Sequence, residues 1–334
     1  KSKNLKDFGE AMSLMALPMF NTVYADKIGN LYYVYNALMP LRGSDAYNWN
    51  GIVPGNTINS LWQGYFAFEQ LPQILNPKSG FLQNCNSTPF LATLGDDNPN
   101  KSFYPRNLGI ESFQTNRALR AHETYGSDKS ISREEFYKYK FDTKYSARSV
   151  MAVNLKKFLG EASSDNPDIL EALKLLKNWD LDTDSSTVGM HLAYETIRPT
   201  FNPKEYHYDY SINMKRLKRI VKWTKDAFGR IDVKWGEVQR LKRGNVDLAL
   251  SGGPDILRAI YSSEKEASRT GIAGDCYFEI VEWDKKGNVS AQSIHQFGSA
   301  IQDSNSIHYN DQAKLFAKHE MKPVWMKLED IKLN

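Results

Sequence analysis

Short runs rich in β-branched and aromatic residues open the chain. Asn21–Tyr24 and Leu31–Tyr35 read as strands, and Ala25-Asp26-Lys27-Ile28-Gly29-Asn30 between them has the chemistry of a hairpin turn. From Pro40 to about Pro89 the pattern lapses into Gly, Pro and Asn, which predicts irregular backbone. The middle of the chain switches to a helical period. Ser132 and Glu135 have the spacing of a capping box. Pro167, after Asp165 and Asn166, suits a first helical turn, and Ile169, Leu170, Leu173 and Leu176 follow on one face. Met214 to Phe228 is amphipathic, with Leu217, Ile220, Val221 and Phe228 as its apolar side. Strands return at Cys276–Trp283 and Val289–Phe297 around Asp284-Lys285-Lys286-Gly287-Asn288, a second hairpin candidate, before a last helix near Asp311 to Lys318. Blocks of this kind predict an α+β protein in three parts: strand-rich 1–106, mainly helical 107–230, and returning strands with a terminal helix over 231–334.

Composition changes this picture little. Hydrophobic residues are 41% and charged residues 25%, enough apolar material for a sizeable core. A net charge of +4 is too small to argue for nucleic acid. The one local basic patch, Lys215, Arg216, Lys218, Arg219, Lys222 and Lys225, is the polar side of the Met214–Phe228 helix and reads as a solvated face. Neither nucleic acid nor a membrane is expected as a partner, since no apolar run reaches the roughly 18 residues of a span. Two cysteines, Cys85 and Cys276, exclude a disulfide framework and leave a single bridge open. The chain starts at Lys1, which predicts a processed or excised piece and leaves its location unread.

Self-contained catalytic signatures are missing: the sequence has no G-x-S-x-G, H-E-x-x-H, P-loop, G-x-G-x-x-G or C-x-x-C. Its six histidines lie at no recognised metal spacing. Asp96, Asp97 and Asn98 form an oxygen-rich cluster, but calcium wants about six to eight oxygens, and a polar turn is the default reading. Asn84-Cys85-Asn86-Ser87-Thr88-Pro89 offers amide donors that suit an oxyanion site and equally suit turns.

The order of several segments resembles the penicillin acylase family. Asn21 to Asn30 is similar to its "N-x-x-Y-A-D-x-x-G-N" segment. Pro40-Leu41-Arg42, Trp62-Gln63-Gly64, Leu71-Pro72, Asn76-Pro77-Lys78-Ser79-Gly80 and Asn84 to Pro89 then resemble "P-x-R", "W-x-G", "P", "N-P-x-x-G" and "N-x-N-x-x-P". Further on, Trp235-Gly236-Glu237-Val238, Ser251-Gly252-Gly253 and Gly274-Asp275-Cys276-Tyr277 resemble the branch with acyl-homoserine-lactone and aculeacin acylases. Gly298, Ser306, His308, Tyr309, Asp311 and Gln312 resemble its closing signature. Cys276 for serine, Ser299-Ala300 for "Q-S" and Ile307 for proline are departures from the pattern.

The resemblance implies part of a four-layer αββα N-terminal-nucleophile hydrolase fold with a helical insertion. It implies an amide hydrolase that removes an N-acyl group from a small substrate through an acyl-enzyme on an N-terminal serine. By the same resemblance Asn86 is the oxyanion-hole asparagine, Arg106 the arginine that orients it, Phe20 an acyl-pocket residue, and Asp97 lies near a calcium-ligand aspartate. No cofactor is required, and a structural calcium is left open. The serine would lie upstream of Lys1. The chain is therefore expected to be inactive alone and to need the missing N-terminal segment and small subunit, or another copy of itself. A periplasmic or secreted location follows from the family. Penicillins, acyl-homoserine lactones and lipopeptides all stay open as substrates. A non-catalytic binding module on the same scaffold is the alternative.

Overall fold

The computed structural model describes residues 1–43, 47–200, 202–300 and 302–333. They form two compact units, Lys1–Lys129 and Ser130–Asn334.

The first unit opens with α1 (Leu5–Ser13), where the Asn4 side chain accepts from the Asp7 N–H. β1 (Phe20–Ala25) and β2 (Leu31–Asn36) form the first expected hairpin, with Ala25 opposite Leu31. One carboxylate closes its turn. Asp26 accepts from the N–H groups of Ile28 and Asn30, from the Asn30 side-chain amide at 2.9 Å and from the Tyr24 hydroxyl at 2.9 Å. The Asn30 amide is the largest cause of an Asp26 pKa below the ordinary carboxylate value. Gly29 takes φ +91°, where a side chain would be strained.

The Pro40–Pro89 stretch is mostly irregular but not wholly so. β3 (Pro40–Arg42) pairs with β4 (Trp62–Tyr65), and β5 (Gln73–Leu75) joins β2 to give the order β1-β2-β5. Strands of three or four residues are too short to show a period in sequence. β2 is the spine of this unit. Tyr32, Val34 and Tyr35 are buried with Leu71 and Leu108, while Tyr33 is buried with Ile74 and Ala92. Each such side chain contributes roughly 1.5–3 kcal/mol on burial. The unit ends with α2 (Asn116–Glu123).

The second unit begins at the expected capping box. The Ser132 N–H donates to Glu135 Oε2 at 2.8 Å and Ser132 Oγ accepts from the Glu135 N–H, starting α3 (Arg133–Lys140). Next come α4 (Val150–Glu161), α5 (Pro167–Asn178), α6 (Met190–Ile197) and α7 (Tyr210–Phe228). α5 starts at Pro167, with Asn166 Oδ1 accepting from Asp168 and Ile169 N–H. α7 starts earlier than its apolar pattern, at Tyr210, because Asp209 accepts from the Ile212 N–H. α6 is buried along nearly its whole length. Its Met190, Leu192 and Ile197 pack in one core with Leu155 and Phe158 of α4, Leu176 of α5, and Leu217 and Ile220 of α7. The basic side of α7 is largely engaged within the protein: Arg219 meets Glu195, Lys222 meets Asp226, Lys225 meets Asp168, and Arg216 donates to Ile197 O.

α8 (Trp235–Val238) leads into a four-stranded sheet of β6 (Gln239–Arg243), β7 (Val246–Ala249), β8 (Ile260–Lys265) and β9 (Ser268–Gly274), in the order β7-β6-β9-β8. β10 (Tyr277–Trp283) and β11 (Val289–His295) make the second expected hairpin. Asp284 repeats the role of Asp26: it accepts from Lys286 and Asn288 N–H and from the Asn288 amide at 2.7 Å. α9 (Ala313–Ala317) is shorter than expected, and β12 (Lys322–Pro323) adds to β11. Cys85 and Cys276 are not joined in a disulfide. Among the described residues no helix is long and apolar enough to cross a membrane.

Candidate active site

The site is built in the first unit from the loop after β5 and the start of α2. Gln83 ties the loop down through its N–H to Ala92 O at 2.8 Å and its side chain to Leu91 O at 2.9 Å. Asn84 Oδ1 then accepts from the Asn86 N–H at 3.1 Å, an Asx turn that bends the chain back. Asn86 sits at φ +55°, in the left-handed region, where Asn is among the few side-chain-bearing residues that settle readily. On the far side, the Thr88 N–H donates to Phe113 O at 3.0 Å.

Thr115 joins this loop to the helix. Its hydroxyl donates to Cys85 O at 3.0 Å and accepts from the Ala118 N–H at 3.2 Å as the N-cap of α2. The helix start therefore cannot shift without moving the asparagine loop.

Arg117 follows two residues after the cap. A cation in a first turn opposes the helix dipole, which disfavours it by roughly 0.3–1 kcal/mol. Its partner explains the placement: the guanidinium donates to Asn86 Oδ1 at 2.9 Å. A guanidinium has no acceptor, so it selects the oxygen of the amide and turns the NH2 group away. Asn86 is exposed, so its Nδ2 is a donor held in a fixed direction at the surface of the loop. That can bind a carbonyl oxygen and the negative charge that develops on it.

The other expected residues stand on other elements. Phe20, at the start of β1, is 54% exposed. Arg106 is in a short 3-10 turn, Arg106–Leu108, and lines a separate 380 Å³ cleft with Tyr47, Trp49 and Asn107. The arginine bonded to Asn86 is Arg117, which sequence reasoning passed over. Its signal was available: a basic residue placed against the dipole two positions after a Thr N-cap. Asp97 Oδ2 accepts from the Lys78 N–H at 2.7 Å and clamps the Asn76–Gly80 turn. Asn98 staples its own loop through Thr93. Among the described residues no three His, Cys, Asp or Glu side chains gather as a metal cluster.

In the second unit Ser251 Oγ lies 2.7 Å from His319 Nε2, a spacing seen between nucleophile and base. Ser251 is only 3% exposed, however, which closes its oxygen to substrate. Burial, reinforced by Arg258 and Lys140, pushes His319 down to about 4. The pair fastens two loops.

A profile of the family described as penicillin amidase matches residues 1–333. The acyl-homoserine lactone acylase PvdQ of Pseudomonas fluorescens is 22% identical over 92% of this chain and 44% of its own length. Penicillin G acylase of Escherichia coli is 36% identical over 27% of this chain and 10% of its own. The structure of a thermostable penicillin G acylase from Alcaligenes faecalis superposes with a TM-score of 0.61 at 18% identity, covering 99% of this chain and 69% of that one. The chain thus shares the fold of that enzyme and spans less than half the length of the PvdQ relative.

Proposed function

The chain belongs to the penicillin amidase family, and from that premise we propose that it is the oxyanion-binding portion of an N-acyl amide hydrolase. The observation that carries the reading is the Asn86–Arg117 pair, which fixes an amide donor on an exposed loop. The reaction divides the roles. A serine hydroxyl attacks the acyl carbon, and its proton passes through the serine's own α-amino group to the leaving nitrogen. The carbon–nitrogen bond breaks, the amine departs, and water then cleaves the acyl ester. Asn86 Nδ2 donates to the oxyanion in both steps, and Arg117 positions Asn86. Serine and α-amino group are supplied from outside residues 1–334, by an upstream segment of the same precursor.

The edge of the first sheet supports this. β1 pairs with β2 alone among the described strands, and Phe20 and Val23 on it are 54% and 47% exposed. An open edge of this kind calls for cover by further chain, and in this reading Phe20 lines the acyl pocket there. The substrate class is an N-acylated amine, and the location is periplasmic or secreted.

The test is Asn86→Ala in the complete precursor. The kcat for an N-acyl substrate falls about a hundred- to a thousandfold while the fold is kept. Turnover by the purified 334-residue chain, or full activity of Asn86→Ala, would overturn the proposal.

A further inference from the structure

A cavity lies in the second unit, between α4 and α5. It has a volume of about 790 Å³, within the range of small-molecule sites. Its floor is apolar. Ala152, Leu155 and Leu159 of α4 face Leu173 and Leu176 of α5, with Trp179 beyond the end of α5. The α4 positions recur at i, i+3 and i+7, a single stripe. From Ala152 to Gly160 that stripe runs about 12 Å at the helical rise.

The rim has one sign of charge. Lys156 from α4 and Lys174 and Lys177 from α5 line the cavity, and no acidic side chain does. All three lysines are exposed, and none has an ion pair or hydrogen bond among the described residues. Three other lysines of the same unit are paired, Lys222 with Asp226, Lys225 with Asp168 and Lys144 with Asp180, while Lys215 and Lys218 of α7 are exposed like the three at the cavity. An apolar trench about 12 Å long under unpaired cations is complementary to a chain that is oily along its length and anionic at one end.

We propose that the α4–α5 cavity binds a medium- to long-chain carboxylate, its alkyl chain on the leucine floor and its head group among Lys156, Lys174 and Lys177. This requires nothing of the hydrolase reading, since neither Asn86 nor Arg117 takes part.

The experiment uses the 334-residue chain and calorimetric titration with monomeric octanoate, decanoate and dodecanoate. Affinity should rise about fourfold per methylene. Dodecyltrimethylammonium, with the same tail and opposite charge, should bind at least about tenfold more weakly. K156Q/K174Q/K177Q should weaken dodecanoate by about tenfold with an unchanged circular dichroism spectrum. A bromine-bearing undecanoate should quench tryptophan emission in the native chain, and W179F should remove that part of the quenching. Leu173→Trp, which fills the trench, provides a second variant and should abolish binding. Affinity independent of chain length, equal binding of the cationic tail, or no effect of the lysine replacements would each overturn the proposal. So would binding only to phosphatidylglycerol vesicles and not to monomeric dodecanoate, which would make the face a lipid-surface contact.

Discussion

Of the places where this molecule joins guanidinium to a polar acceptor, two do opposite work. In the first unit Arg117 holds Asn86 on an exposed loop through one bond of 2.9 Å. In the second, Glu195 of α6 is 1% exposed and accepts from Arg198 and Arg219 at 2.7 Å each and from Arg269. Burial by itself raises the Glu195 pKa. The bond from Arg198 and the charges of Arg269 and Arg198 outweigh it, and the net shift is downward. Both oxygens of Glu195 are consumed by the protein, so nothing remains for a ligand. The exposed pair satisfies one end of an amide and leaves the other free. Complete satisfaction makes a structural tie, whereas partial satisfaction at the surface leaves a donor for chemistry.

The comparison can be broken most sharply at Glu195. Glu195→Gln leaves three guanidiniums with a neutral partner and should cost about 3–5 kcal/mol in denaturant unfolding of the 334-residue chain. Asn86→Ala should cost only about 1 kcal/mol in the same assay, because alanine settles less readily than asparagine at this positive φ. In the complete enzyme it should remove about 2.7–4 kcal/mol of transition-state stabilisation, read as kcat. Equal stability losses at the two positions would erase the distinction.

The two arginines of the first unit can be separated next. Arg117→Met should lower kcat by about ten- to a hundredfold with little change in KM, the loss of a hydrogen bond to a charged group. Arg106→Met should stay within about twofold. The reverse result would return the orienting role to Arg106.

A last test is in pH. His191, one helical turn before Glu195, is buried between Trp223 and Trp235, and burial pushes it down to about 3. The unfolded chain binds a proton at 6.5 that the folded chain refuses until about 3. Stability is therefore lost as pH falls from 6.5, at about 1.4 kcal/mol per pH unit for such a histidine. Glu195 has the opposite charge type. Its contribution is complete above its unfolded value of 4.5 and fades only below it. Between pH 6.5 and 4.5 the loss thus belongs to His191 and to His319, and His191→Phe should visibly flatten it in thermal melts. An unchanged slope would show that His191 takes up its proton in the folded state.

Much of the fold was open to reading from the chain because the contacts responsible are short-range. Asp26 and Asp284 close identical D-K-x-G-N turns by bonds that span two to four residues. Ser132 and Glu135, or Asn166 and Pro167, start helices by bonds to neighbours. The asparagine loop was legible as a segment for the same reason, since Asn84 and Asn86 bond two residues apart.

What lay beyond the sequence lies at long separation. The bond from Arg117 crosses 31 residues to Asn86, and the family resemblance pointed to Arg106 instead. Arg269 reaches Glu195 across 74 residues. α6 shows no polar face, because it packs on all sides and has no solvent to mark a period. The α4–α5 trench exists only because two helices, of which the sequence marked α5 alone, stop short of closing on each other. The sequence by itself determined the turns, the caps and the family, since those depend on residues within a few positions and on their order. Only the tertiary structure decided which cation meets which acceptor and which apolar faces stay uncovered, because those depend on distances between segments that the chain order leaves free.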